Sequence, residues 1–318
     1  MRPTPDHPPS PPPPRRTRAA RLRALCAAVC TAAGANAAGA QQVLVILGGD
    51  SEPYRAAAQA CVDALDGEGV EAATIALDEL DRAPAADADD LYLAIGLRAA
   101  ESLTRQLPAE APLVYCMLSE PEASSLAPRE RSTGVTTTVP VADQFELIAE
   151  ALPGAKRIGV LHRAGSHTSA ALLRAARDRL PRGWSIEAVD LDAFQSPADG
   201  VRELIAARVD AVWTLPDPAV YDGALVKTLL IEALRSGTPV FAFSGQLVKA
   251  GTLAGVGISP AQQGRQAAGL ARQFLAKPRA TPPPLEPTYE IAVNLIVAEK
   301  LKIDLPQALI ARADQVYK

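Results

Sequence analysis

The chain has 318 residues, 48% of them hydrophobic, which is enough apolar material for two packed α/β lobes or one large domain and excludes disorder along its whole length. Without its first forty residues, which carry six arginines and one aspartate, 26 basic side chains face 35 acidic ones, a formal charge of −9. Phosphate contact calls for a basic face, so this balance argues against a nucleic-acid partner.

Residues 1–14 hold eight of the 28 prolines and cannot form helix or sheet, because proline lacks an amide donor and fixes φ. A basic stretch follows, with Arg15, Arg16, Arg18, Arg21 and Arg23. Small apolar residues from Ala24 to Ala33 and then Ala38-Gly39-Ala40 complete the order of a secretory signal. About ten apolar residues cannot cross ~30 Å of hydrocarbon, so residues 1–40 are expected to be a proline-rich tail and signal peptide cut near Ala40, with a periplasmic product. Of the four cysteines, Cys61 and Cys116 survive that cut. Both lie in apolar runs where a buried thiol is usual, although an oxidising compartment would allow them to pair.

Short β-branched runs then alternate with amphipathic stretches, the pattern of parallel βαβ units. In chain order the expected strands are Val43–Leu47, Val70–Ile75, Leu91–Ile95, Leu113–Leu118, Gly134–Thr138, Arg157–Leu161, Ser185–Asp190, Ala211–Leu215, Val240–Phe243, Leu253–Gly257 and Tyr289–Asn294. Helices are expected at Tyr54–Asp66, Gln144–Ala151, Thr168–Leu180, Gly200–Ala207, Tyr221–Arg235 and Ala261–Ala276. Thr136-Thr137-Thr138-Val139-Pro140 suits a strand that leaves one sheet for another, and Pro282-Pro283-Pro284 suits a second rigid connection. The expected division is a first lobe of 41–138 plus about 245–280 and a second of 139–244 plus about 281–318.

Specific segments point further. Ala151-Leu152-Pro153-Gly154-Ala155-Lys156-Arg157-Ile158-Gly159-Val160-Leu161 resembles the start of the second lobe in ABC-transporter substrate-binding proteins of the tryptophan/tyrosine-binding type, which have the type I periplasmic-binding-protein fold. Thr133-Gly134-Val135, Pro216-Asp217-Pro218, Pro239-Val240-Phe241-Ala242-Phe243-Ser244 with Val248-Lys249-Ala250-Gly251, Gly264-Arg265-Gln266-Ala267-Ala268 and Leu305-Pro306-Gln307-Ala308-Leu309 are similar to that family in the same order. The resemblance runs from about residue 43 to the end. It implies two Rossmann-like lobes with parallel sheets joined by several hinge crossovers, no enzymatic activity, and a monomer that passes a small, amino-acid-like solute to a membrane permease. A membrane-bound sensor is the alternative partner. The loops Leu47-Gly48-Gly49-Asp50-Ser51-Glu52 and Gly96-Leu97-Arg98-Ala99-Ala100 depart from the family's pattern.

Ligands of open parallel sheets sit beyond the carboxyl ends of the strands, where loops and helix N-termini offer unpaired amides. The strand-end residues here are Ser51, Tyr54, Arg98, Ser119 and Glu120 in the first lobe and Ser166, Asp217, Tyr221 and Ser244 in the second. Serines and nearby amides would serve a ligand's carboxylate, Asp217 or Glu120 its ammonium, and Tyr54, Tyr115, Tyr221 and Phe243 an aromatic or apolar side chain. The same serines are also good helix N-caps, and Asp217 a good turn former. Tyr115 and Trp213, inside apolar runs, suit the core.

Gly49-Asp50-Ser51 also resembles the nucleophile block of GDS-type serine hydrolases. No aspartate stands three residues before His162 or His167, however, so the base that block needs is missing. His162 and His167 lack a third ligand partner in sequence, and Gly255-Val256-Gly257 is followed by no third glycine before Gly264. No cofactor and no metal is expected.

Overall fold

A computed structural model describes residues 42–80, 90–217 and 219–318. The expected tail and signal peptide therefore lie outside the described residues.

The first sheet is built from β1 (Val43–Leu47), β2 (Ala72–Ala76), β3 (Leu91–Ile95), β4 (Leu113–Leu118) and β5 (Ser132–Thr136), in the order β2-β1-β3-β4-β5 with every pair parallel. Its central strands read as unbroken apolar runs because helices cover both faces: β1 and β3 are buried almost throughout. Between the strands lie α1 (Glu52–Asp66), α2 (Leu77–Leu80), α3 (Leu97–Gln106) and α4 (Glu120–Ser125).

The second sheet comprises β6 (Arg157–His162), β7 (Ser185–Asp190), β8 (Ala211–Trp213), β9 (Val240–Ala242), β10 (Ala254–Ile258), β11 (Tyr289–Asn294) and β12 (Gln315–Tyr317), in the order β12-β11-β10-β9-β8-β6-β7. Helices α5 (Val141–Ala151), α6 (His167–Asp178), α7 (Pro197–Ala206), α8 (Gly223–Ser236), α9 (Gly245–Ala250), α11 (Leu295–Leu301) and α12 (Gln307–Arg312) belong with it. Trp213, 1% exposed, centres this core, with its ring edge-on to Phe145 at 5.1 Å and its Nε1 donating to Gln144 Oε1 at 2.7 Å. β11 runs antiparallel to β10, with Ile258 opposite Tyr289, because the chain re-enters this sheet at the end where β10 left it.

Between β10 and β11 stands α10 (Pro260–Ala276), which packs on α1 in the first lobe. The two helices touch so closely that a Cβ on Gly264 would lie 2.0 Å from the carbonyl oxygen of Ala57. The return to the first lobe therefore begins after Ile258. It was expected at about 245, and α9 and β10 instead stay with the second sheet, where Ala254 and Gly255 pair with Phe241 and Ala242. The chain leaves again later than about 281. Thr281 Oγ1 still donates to Glu130 O and Leu285 N to Gly134 O, so the second sheet regains the chain only at Tyr289.

Three segments thus cross between the lobes: 136–140, 258–260 and 285–289. Side-chain amides join them. Gln263, fully buried in the first turn of α10, donates from Nε2 to Thr136 O at 3.0 Å and accepts from Met117 N at 3.2 Å. One turn on, Gln266 donates to Glu286 O at 2.9 Å and accepts from Thr288 N at 3.0 Å. Gln144 donates to Val139 O at 2.9 Å from the other side. Met117 has φ of 60°, where a β-bulge shifts the β4–β5 register, so its amide points out of the ladder and Gln263 receives it. Replacing Gln263 by leucine would leave the part-buried Met117 amide and Thr136 carbonyl without this partner, at a cost of about 1–3 kcal/mol each. Urea unfolding of Gln263→Leu is expected to show a loss of about 2 kcal/mol or more, and a change below about 0.5 kcal/mol would contradict this account of the hinge.

Candidate functional site

Most parallel strands of each sheet lead into a helix, and capping decides how each expected residue is used. Ser119 accepts from Glu122 N, while Glu122 Oε2 accepts from Ser119 N at 2.7 Å and from Ser119 Oγ at 2.8 Å, a reciprocal capping box. Ser166 caps α6 through Ser169 N, Ser244 caps α9 through Leu247 N, and Ser259 caps α10 through Gln262 N. Ser51 stands at the start of α1 with no such bond and is exposed.

On the first-lobe side, Tyr54 is half-buried and lies across Gly96 at the end of β3, where a Cβ would fall 2.5 Å from the phenol oxygen. Gly96 also has φ of 86°, so glycine is required there for both reasons. Burial, then the charge of Glu122, then Cys116 push the Tyr54 hydroxyl above its ordinary range. Arg98, the second residue of α3, is exposed, as is Glu120. The Glu120 amide donates to Thr138 Oγ1 at 2.9 Å, which fastens α4 to the first crossing segment.

On the second-lobe side, Asp217 is 2% exposed. Its Oδ2 accepts from Ser166 Oγ and Ser169 Oγ, each at 2.5 Å, and its Oδ1 from Ala219 N at 2.9 Å. Burial alone would raise the Asp217 carboxyl, yet those hydroxyl and amide donors outweigh it and hold the group below its ordinary value. The carboxylate therefore locks the start of α6 to the end of β8. Tyr221, expected beside the ligand, is buried in the core: its hydroxyl donates to Leu161 O at 3.3 Å and its ring meets half-buried Phe243 at 5.8 Å. Tyr115 is half-buried, with its ring filling the space beside Gly134.

The two sets of loops meet where α4 of the first lobe approaches α6 of the second, with Cα atoms within 8 Å. A separate cavity of about 150 Å³ lies within the second lobe, lined by Asp143, Glu146, Tyr289 and Arg312 among others. That is below the ~300 Å³ at which ligand clefts begin.

Hydrolytic chemistry finds no support here. Asp50 is engaged with Arg55 and not with a histidine, and His162 and His167 stand in the other lobe. Cys61 and Cys116 are free and buried; burial pushes the Cys61 thiol up to about 12, and burial and then Cys61 hold Cys116 well above its ordinary value. Among the described residues no cluster could hold a metal and no helix is long and apolar enough to cross a membrane. Glu122, Thr138 and Gln263 were not singled out from the sequence, though Ser119-Glu120-Pro121-Glu122 carries the S-x-x-E signature of a capping box.

Because Asp217 titrates below 3.8, its contribution to stability is fully present above that pH and is lost as pH falls through the lower folded-state value. Asp217→Asn is expected to cost about 1–3 kcal/mol at neutral pH and to flatten the acid limb of the stability curve below about pH 4. An acid limb unchanged in urea titrations at several pH values would contradict this.

Comparison with known proteins agrees with the fold. A family model described as ABC transporter substrate binding protein matches residues 59–317. An ABC domain in complex with L-Trp from Streptococcus pneumonia is 20% identical, with a TM-score of 0.63, over 87% of this chain and 100% of that one. A conserved domain protein from Vibrio cholerae is 22% identical, with a TM-score of 0.63 and the same coverage. The ligand-free, open structure of a substrate binding protein with adhesive properties from Clostridium difficile is 17% identical, with a TM-score of 0.71, over 87% of this chain and 99% of that one. No curated protein sequence matches the chain.

Proposed function

We propose a ligand class and a route for a chain that belongs to the ABC transporter substrate-binding protein family. Proteins of this family and fold bind solutes, are extracytoplasmic and are not enzymes; their partners are a small-molecule ligand and a membrane permease. Within that frame, our reading is that this chain captures an amino-acid-like solute between its lobes and delivers it, as a monomer, to an ABC importer from the periplasm.

One observation carries the reading: two separate sheets are joined by three stitched crossings, and α4 at a strand end of one approaches α6 at a strand end of the other. A hinge of that kind can close on a solute, and the ligand favours the shut state by the contacts it makes only there. The L-Trp complex of the Streptococcus pneumonia domain supports an amino acid, as does the aromatic face of Tyr54 among strand-end donors. Export through residues 1–40 and cleavage after Ala40 belong to the same reading.

Thermal denaturation with a panel of L-amino acids tests the ligand class. Ligand at a hundredfold excess over Kd stabilises by about 2.7 kcal/mol, a rise of roughly 4–5 °C for a protein of this size. A shift with a sugar and none with any amino acid would overturn the class. N-terminal sequencing of the exported protein is expected to begin at Gln41; a product that retains residues 1–40 would contradict cleavage there.

A further inference from the structure

The amino-acid reading requires a carboxylate to receive the ligand's ammonium group, and the two acids suggested by position alone are poor candidates. Asp217 is almost fully buried with both oxygens occupied by hydroxyl and amide donors. Glu120 is exposed, where water screens its charge.

Glu122 differs from both. It is half-buried in the first turn of α4, the helix that approaches α6 of the opposite lobe. Its Oε2 is held by the amide and the hydroxyl of Ser119, which fixes the side chain in one rotamer before any ligand arrives. Its Oε1 has no hydrogen-bond partner among the described residues. In the first sheet, β1, β3 and β4 are neighbours, so Tyr54, Gly96 with Arg98, and Glu122 follow one another along a single row of strand ends. The ring of Tyr54 lies across Gly96 in that row, and Glu122 is close enough for its charge to act on the Tyr54 phenol.

Resting on the amino-acid reading, we propose that Glu122 is the ligand-binding acid of this chain, with Oε1 accepting from the α-ammonium group of an amino acid whose apolar or aromatic side chain lies against Tyr54. A preset, half-buried carboxylate gains more from an ammonium ion than an exposed one, because less water competes for it and no rotamer freedom remains to be lost. Arg98, exposed in the first turn of the neighbouring α3, would then meet the ligand's carboxylate.

The test compares wild type with Glu122→Gln, which keeps the size of the side chain and an oxygen for Ser119. Calorimetric titration would use L-tryptophan, L-tyrosine, L-phenylalanine and L-leucine beside their des-amino counterparts, indole-3-propionate, 3-(4-hydroxyphenyl)propionate, 3-phenylpropionate and 4-methylpentanoate. Wild type is expected to prefer the amine-bearing member of at least one pair. In Glu122→Gln the affinity for that amino acid falls about tenfold or more while the des-amino acid is unaffected, the loss expected for a charge-assisted hydrogen bond. Preference for the amine undiminished in the variant, or both members of the pair weakened equally as for a cap alone, would overturn the assignment and leave the amino-acid reading standing. Wild type that binds no amino acid and no des-amino acid would overturn both together.

Discussion

The structure depends on how three chain segments are held side by side between two otherwise independent sheets. A crossing peptide joins a ladder only at its ends, so the amides and carbonyls between need other partners. Gln263 and Gln266 provide them from one helix: the first binds the segment leaving β5 and the amide of Met117, the second binds both sides of the segment leading to β11. Because α10 is itself the continuation of the middle crossing and packs on α1 through Gly264, all three connections are referred to one rigid body in the first lobe. That leaves the second lobe to rotate as a unit about short, directionally fixed segments, the condition for a hinge.

The same economy shapes the binding face. Most parallel strands lead to a helix start, and the residue found there most often is a serine that caps the helix with its own hydroxyl. The caps hold the loops still, and Asp217 adds a second lock by joining β8 to the start of α6. The Tyr54 face, Arg98 and one oxygen of Glu122 are not consumed in this way, and the proposed ligand contacts rest on them.

Much of the fold was legible in the sequence because burial on both faces leaves a plain mark. Val43–Leu47, Leu91–Ile95, Leu113–Leu118 and Tyr289–Asn294 stand where their apolar or β-branched runs placed them. Gln315–Tyr317 was missed, since a strand of three residues at a sheet edge is too short to carry a periodic signal. The return of the chain to the first lobe was placed too early because α9 and β10 look like a new unit after Ser244, and only the pairing of β10 with β9 shows that they close the second sheet. At the site, strand-end position identified the serines but could not tell whether a hydroxyl was free or capped. Nor could it show that Tyr221 turns inward to Leu161, because that depends on a contact sixty residues away.

The central claim is that the two lobes close on a solute, and small-angle X-ray scattering of the full chain with and without an excess of mixed L-amino acids tests it most directly. A smaller radius of gyration in the presence of the mixture, reversed by dialysis, is the predicted result. Identical scattering curves, with bound amino acid detected in the same sample, would show a rigid receptor and contradict the hinge on which this account rests.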